Sequence, residues 1–237
     1  MRIALIGMGR MGRMIRDCAA DRGIEVAAEF NLAPLAQLAQ CDRMDAVIDF
    51  SAPASLPALA AYVQRTGTPL VSGTTGYCDE EAARVNALGS YAPVALSANF
   101  SIGVAVLKHL AAEAAALLPD FDIEIIETHH RMKKEAPSGT AKRLVSAVTP
   151  DGTHPTVFGR EGFTPRTAGE IGVHAVRGGT VAGVHTVSFF GDEEELSLTH
   201  RAESRRIFAI GALKTAEKLK DAPVGLHTLD ELLFARR

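Results

Sequence analysis

The chain is short of three things: paired cysteines, surplus basic charge and long uninterrupted apolar runs. Its three cysteines, Cys18, Cys41 and Cys78, are widely separated and odd in number. They lack the intervals of a zinc ligand set or a redox pair, so buried, reduced thiols in a cytoplasmic setting are expected. Lys and Arg total 25 against 28 Asp and Glu, for a formal charge of -3. That excludes a general nucleic-acid binder, which needs a basic surplus to neutralise phosphates. Any anionic ligand must be drawn by a local basic cluster. The apolar N-terminus, residues 3–6, meets glycines at once and has no cleavage-site pattern, so a strand is expected there and not a signal peptide. The most apolar later stretch, residues 102–118, carries Lys108, His109 and Glu113 and is too polar for a membrane span. No internal repeat or low-complexity linker is present.

What is present is an apolar fraction of 47% over 237 residues, enough for one large domain or two modest ones with a well-buried core. The first hundred residues alternate short apolar runs with helical segments. Strands are predicted at 2–6, 24–30, 46–49, 70–72 and 94–96, and helices at 11–20, 55–66 and 79–88, the last capped by Asp79 and stopped by Gly89. This is the rhythm of a doubly wound α/β domain with a parallel sheet. After residue 96 the rhythm changes. A long alanine-rich helix at 102–117, a strand at 121–127 and a helix at 138–148 precede a Gly-, Pro- and Thr-rich surface loop at 149–169. Strands at 171–176, 181–190 and 194–199 follow, with Gly191-Asp192 as a hairpin turn. They predict a second α+β domain with a mixed or antiparallel sheet, before a helix at 204–219 and a tail able to return to the first domain.

Gly7-Met8-Gly9-Arg10-Met11-Gly12 stands between the first strand and first helix, the context that gives a G-x-G-x-x-G match its meaning. Gly7 permits the tight turn, Gly9 lets a pyrophosphate approach the backbone, and Gly12 lets helix and strand pack closely. A dinucleotide site also needs a group for the ribose hydroxyls, and Glu29 and Asn31 both stand near the end of the second strand. No arginine follows to hold a 2′-phosphate, since the next residues are Leu32, Ala33 and Pro34. Cofactor preference between NADH and NADPH is left open. Three later strand ends, Asp49-Phe50-Ser51, Gly73-Thr74-Thr75-Gly76 and Ser97-Ala98-Asn99-Phe100, lie where ligands collect in open α/β sheets. Each alone reads more readily as an ordinary strand-to-helix loop; together, after a glycine fingerprint, they favour the nicotinamide half of a dinucleotide.

The most informative stretch is residues 127–141, E-T-H-H-R-M-K-K-E-A-P-S-G-T-A. Imidazoles at His129 and His130 can move a proton near neutral pH. Lys133 supplies a compact positive charge, and Pro137-Ser138-Gly139-Thr140 reads as a turn opening a helix whose N-H groups attract carboxylates. Together they suit an anionic substrate that needs a proton. The spacing supports no metal site, since no carboxylate or cysteine stands at a ligand interval. Lys134 and Arg143 read as bystanders, and His109, His154, His174, His185, His200 and His227 stand alone.

With the G-M-G-R-M-G loop, D-F-S, S-G-T-T-G and A-N-F-S, this block resembles the 4-hydroxy-tetrahydrodipicolinate reductase family, long called dihydrodipicolinate reductase, nearly end to end. The resemblance implies reduction of a cyclic unsaturated dicarboxylate by NADH or NADPH on the diaminopimelate route to lysine. It implies a Rossmann domain from residues 1–100 and 206–237, and a substrate and oligomerisation domain from 101–205 that builds a homotetramer. His129 matches the catalytic acid/base and Lys133 a second proton donor or charge stabiliser. His130, Ser138, Gly139, Thr140 and Arg205 match substrate contacts. Two departures stand out: Glu135 replaces an aspartate frequent in the family, and Asn31 falls where a ribose-contacting acid is expected. The loop at 149–169 is also short. A related amino-acid dehydrogenase would share the glycine loop without needing P-S-G-T-A after a His-His pair. A non-catalytic dinucleotide sensor would have no use for the acid, base and helix start.

Overall fold

The computed structural model describes residues 1–31 and 35–234, with Ala36 described by its backbone only. The chain divides into two compact units, Met1–Ile102 with the segment from Arg206 onward, and Gly103–Arg205.

In the first unit, β1 (Arg2–Ile6), β2 (Glu25–Phe30), β3 (Ala46–Asp49), β4 (Leu70–Ser72) and β5 (Pro93–Leu96) alternate with α1 (Arg10–Ala20), α2 (Leu56–Thr66) and α3 (Asp79–Ala87). A two-residue strand near the C-terminus, Gly225–Leu226, pairs in parallel with β5 and completes a six-stranded sheet. Every pairing in this sheet is parallel. Strands β1, β3, β4 and β5 are buried on both faces, as two helical layers demand, while β2 exposes Glu25 and Glu29. Ala4, Ile6, Val47, Leu70 and Val94 face Leu59, Tyr62 and Val63 of α2 and Val85 of α3. The alternate residues Ile3, Leu5, Ile48, Val71 and Ala95 face Ile15 and Cys18 of α1 and a helix at Arg206–Leu219, through Ala209, Ala212 and Leu213. The C-terminal segment therefore belongs to this unit because its small-residue face closes one side of the sheet. β1 lies between β2 and β3, where the strand order reverses, so the crevice beyond its C-terminal end is the expected ligand position of a doubly wound sheet.

The second unit carries α4 (Ile102–Leu117), β6 (Asp122–His129), α5 (Gly139–Val148), β7 (Thr156–Phe158), β8 (Ile171–Arg177), β9 (Gly183–Gly191) and β10 (Glu194–Ala202). Its five-stranded sheet has the order β10-β9-β6-β8-β7. β6, β7 and β8 run parallel, while β9 and β10 are antiparallel additions. The sheet is thus mixed. In chain order, α6 (Arg206–Leu219), β11 (Gly225–Leu226) and α7 (Leu229–Phe234) return to the first unit.

Several local expectations need correction. The loop at 149–169 contains β7, and the tail contributes β11; both are too short to show a period in the sequence. Cys78, not Asp79, is the N-cap of α3, and its N-H donates to Glu81 Oε2 at 2.9 Å. Cys78 is exposed and Cys41 half-buried, so of the three cysteines expected to be buried only Cys18 is. The hairpin turn is Asp192-Glu193, because Gly191 pairs with Glu194 inside the ladder. Gly191 is small because a Cβ there would strike the Phe121 ring, and Glu193 takes the left-handed conformation at φ 61°. Among the described residues no helix is long and apolar enough to cross a membrane.

Candidate active site

Along one face of the second sheet an apolar core turns into a polar site without leaving the period of two. On β6, Ile123 and Ile125 pack against α4 and α5, and the next residues on that face are Glu127 and His129. On β9, Phe189 and Val187 are followed by His185 and Gly183. Register completes the arrangement: Glu127 pairs with His185, and His129 with Arg177 at the end of β8. The N-terminus of α5 ends on the same spot. Ser138 caps it, its Oγ accepting from Ala141 N at 3.1 Å, as an N-cap serine should.

Glu127 is fully buried and satisfied on both oxygens. Arg177 donates from Nη1 to Oε2 at 3.0 Å and from Nη2 to Oε1 at 2.8 Å, and Ser138 N-H donates to Oε1 at 3.1 Å. His129 Nδ1 meets Oε2. Burial opposes ionisation of Glu127, but the bonds to Arg177, His129 and Ser138 outweigh it and hold the carboxyl below its usual range. His129 itself is 9% exposed. Burial lowers its pKa, and the pull of Glu127 in the other direction offsets that only in part. His185 stacks edge-on against His129 with ring centroids 5.1 Å apart.

Around this buried group lies a cationic rim. His130, next to His129 just past the end of β6, is half-buried, with Arg205 Nη2 at 3.5 Å from its Nε2. Lys133 Nζ is 3.2 Å from the exposed Glu135 carboxylate. Gly139 is exposed at the first position of α5, while Thr140 is buried. His129, His130, Lys133, Ser138 to Thr140 and Arg205 thus all lie in one unit. Arg177 and His185 are the residues that sequence reading missed. His185 does not stand alone, and Arg177 gave no signal because its partner on β6 is distant in the chain. Lys134 is exposed on the same loop, Arg143 is half-buried, and His174 bonds Glu124 Oε2 at 2.8 Å away from this face.

In the first unit, Gly7 has φ 90°, and a Cβ on it would fall on the Phe50 and Ser51 backbone. A Cβ on Gly12 would fall on the Gly7 carbonyl oxygen, whereas one on Gly9 would meet nothing within 4 Å. Gly9 is also the N-cap of α1, supplies no side-chain cap, and no acid occupies the first turn. A helix start with open space before it and no anion of its own fits a dinucleotide pyrophosphate. Arg10 is exposed at that start, while Met8 and Met11 pack partly on the core. Asn31 accepts from Met8 N through Oδ1 at 3.2 Å, tying the loop to the end of β2, while Glu29 lies 3.8 Å from Arg16. The residues after Asn31, Leu32 to Pro34, lie outside the described residues.

The later loops share one anchor. Asp49, fully buried, accepts from Ser51 Oγ at 2.5 Å, Thr74 Oγ1 at 2.8 Å, Ser72 Oγ at 3.3 Å and Tyr77 OH at 3.4 Å. The Phe50 ring lies over Gly73 and 5.8 Å from the Phe100 ring, which is buried. Thr75 and Ala98 are exposed. Ser97 and Asn99 close a local turn, with Asn99 N donating to Ser97 Oγ at 3.1 Å. Among the described residues no group of three or more His, Cys, Asp or Glu is arranged to hold a metal ion.

The comparisons with known proteins agree over both units. The family described as dihydrodipicolinate reductase, N-terminus, matches residues 1–100, and its C-terminus counterpart matches residues 103–233. A 4-hydroxy-tetrahydrodipicolinate reductase of Exiguobacterium sp. (strain ATCC BAA-1283 / AT1b) is 40% identical, over 98% of this chain and 95% of that protein. Its counterpart from Thermomicrobium roseum is 41% identical, over 98% and 99%. In fold, a dipicolinate-bound dihydrodipicolinate reductase from Paenisporosarcina sp. TG-14 superposes with a TM-score of 0.82 at 22% identity, covering 98% of each chain. An amine dehydrogenase from Mycobacterium smegmatis shares the fold less closely, with a TM-score of 0.58 at 11% identity, covering 97% of this chain and 95% of that one. With a glycine loop fitted for a dinucleotide in one unit and a buried His-Glu-Arg group beneath a cationic rim in the other, the chain belongs to the dihydrodipicolinate reductase family of NAD(P)H-dependent oxidoreductases.

Proposed function

We propose that this protein converts 4-hydroxy-tetrahydrodipicolinate to tetrahydrodipicolinate on the diaminopimelate route to lysine: the 4-hydroxyl group leaves as water, and the unsaturated ring that results takes a hydride from NADH or NADPH and a proton from His129. The observation that carries the reading is the meeting of a carboxylate-paired histidine, a cationic rim and a helix start on one sheet face. When bound, the nicotinamide supplies the hydride. Gly7 to Gly12, with Met8, Arg10 and Met11 between the glycines, hold the cofactor's pyrophosphate. Asn31 contacts the ribose, and Phe50, Ser51, Gly73, Thr74, Thr75 and Ser97 to Phe100 line the nicotinamide half.

In the second unit, Lys133 stabilises charge on the reacting group or serves as a second proton source. His130, Arg205 and the Ser138-Gly139-Thr140 turn hold the substrate carboxylates, as positive potential and helix N-H groups are suited to do. His129, protonated, delivers its proton to the carbon or nitrogen left electron-rich by reduction. The substrate class is that of dipicolinate, a cyclic dicarboxylate bound by the Paenisporosarcina protein. The protein works in the cytoplasm as a homotetramer. Half-exposed Ile126 and Val176 on the uncovered sheet face, and the exposed ring of Phe158, support assembly through this unit.

The test is NADH and NADPH oxidation in the presence of the preceding synthase product, with aspartate plus oxidised cofactor as the control. His129→Ala and Lys133→Ala should each lower turnover by on the order of a hundredfold while cofactor affinity stays within about twofold. Turnover like that of the unaltered protein in both variants would remove the assigned roles.

A further inference from the structure

A proton donor must present one defined ring nitrogen, and a free neutral imidazole carries its proton on either. At His129 the surroundings make the choice. Nδ1 is against Glu127 Oε2. The other sites on that carboxylate are filled by donors, two from Arg177 at 3.0 and 2.8 Å and one from Ser138 N-H at 3.1 Å. A bidentate guanidinium and a backbone donor keep a buried carboxyl ionised, and an ionised carboxylate can only accept. Nδ1 therefore carries the hydrogen. On the other edge of the ring stands Gly183, where even a Cβ would come to 3.1 Å from Nε2. The residue beside Nε2 is one that leaves it uncovered.

Arg177 is also held from its far side, since Nη2 donates to the Glu135 carbonyl oxygen at 2.6 Å. The loop bearing His130 and Lys133 is thus pinned to the same guanidinium that orients Glu127. We infer that Glu127, clamped by Arg177, is a positioning residue that fixes the Nδ1-H tautomer of His129 and stabilises the imidazolium that donates from Nε2. The second half of this inference rests on the reading of His129 as proton donor; the tautomer does not.

The charged or titratable groups facing His129 are Glu127 on its own strand, Arg177 on β8, His185 on β9 and Lys133 in the loop. Burial lowers the pKa of His129 most, Glu127 opposes it, and Lys133 and Arg177 add to the lowering. Glu127 is the anion of the set, so neutralising it must disfavour the charged ring further. The pH above which turnover declines then moves down.

The experiment uses full-length Glu127→Gln, with uniformly 15N-labelled histidine and His129→Gln for assignment. Expected results are a mixed or Nε2-H tautomer at His129 where the unaltered protein shows Nδ1-H. The alkaline limb of the kcat profile should fall by about one pH unit, and kcat by on the order of a hundredfold, with KM little changed. Should the unpaired Arg177 prevent folding, Glu127→Gln combined with Arg177→Met removes both charges and gives the same readouts. Glu127→Asp, which keeps the charge, should restore part of the pH limb. A folded variant that keeps the Nδ1-H tautomer and the original pH limb overturns the inference. Full turnover in His129→Gln would instead overturn the donor reading, leaving the tautomer result to stand by itself.

Discussion

Ser138 Oγ lies 3.2 Å from His185 Nε2, joining the cap of α5 to β9 beneath the candidate site. The hydroxyl accepts from Ala141 N and keeps a second lone pair, so it pairs with the imidazole in either ring tautomer. The other ring nitrogen of His185, Nδ1, is buried without a hydrogen-bond partner among the described residues. The ring is held neutral. Burial first, and then the neighbouring His129, lower its pKa from 6.5 to about 4.

Stability should therefore depend on pH through His185. The unfolded chain binds its proton near pH 6.5 and the folded chain only near pH 4, so this contribution is complete above that window and is lost as pH falls through it. The loss amounts to about 3 kcal/mol at most. Urea unfolding between pH 7.5 and 4 should show a shallower decline in His185→Gln than in the unaltered protein. Parallel curves would mean that His185 titrates normally.

Gly9 and Gly12 should separate binding from folding. Gly9→Val points a side chain into open space, so the melting temperature should hold while NADH and NADPH affinity falls at least about tenfold. Gly12→Ala drives a Cβ onto the Gly7 carbonyl oxygen and should cost about 3 kcal/mol of stability as well. Calorimetric titration and thermal unfolding of both variants check this. Equal cofactor affinity in Gly9→Val would show that the space before α1 is not the pyrophosphate site.

Asp49 organises both strand-end loops from below. Asp49→Ala leaves the Ser51, Thr74, Ser72 and Tyr77 hydroxyls without their shared acceptor and should cost about 2 kcal/mol. Cofactor affinity should fall too, because Thr74 Oγ1 also accepts from Ser51 N at 3.0 Å. Asp49→Asn, which keeps one acceptor oxygen, should recover most of the stability. Unfolding curves paired with cofactor titration separate these effects; an unchanged affinity in Asp49→Ala would limit the network to folding.

Much of the architecture was legible in the chain. Apolar runs bounded by turn residues located β1 to β6 and β8 to β10 to within a few residues, since burial on one or both faces imposes a pattern on the order of apolar residues. The glycine turn was legible for the same local reason: its backbone geometry depends on neighbouring residues in order. β7 and β11 were not, because strands of three and two residues carry too few side chains for any period to show.

The candidate site divides in the same way. The block from Glu127 to Ala141 announced acids, bases and a helix start, all contributed by one continuous segment. Its completion by Arg177, which is 50 positions from Glu127, and by His185, 47 positions from Ser138, waited on the sheet. Alternation specifies which face a strand buries, but not which strand lies beside it or in what register. The sequence by itself determined the two-unit layout, the glycine turn and the presence of His129 and Lys133. Only the tertiary structure decided that Glu127 would be ionised and His185 neutral, because both states are set by burial and by partners that strand pairing alone brings within hydrogen-bonding distance.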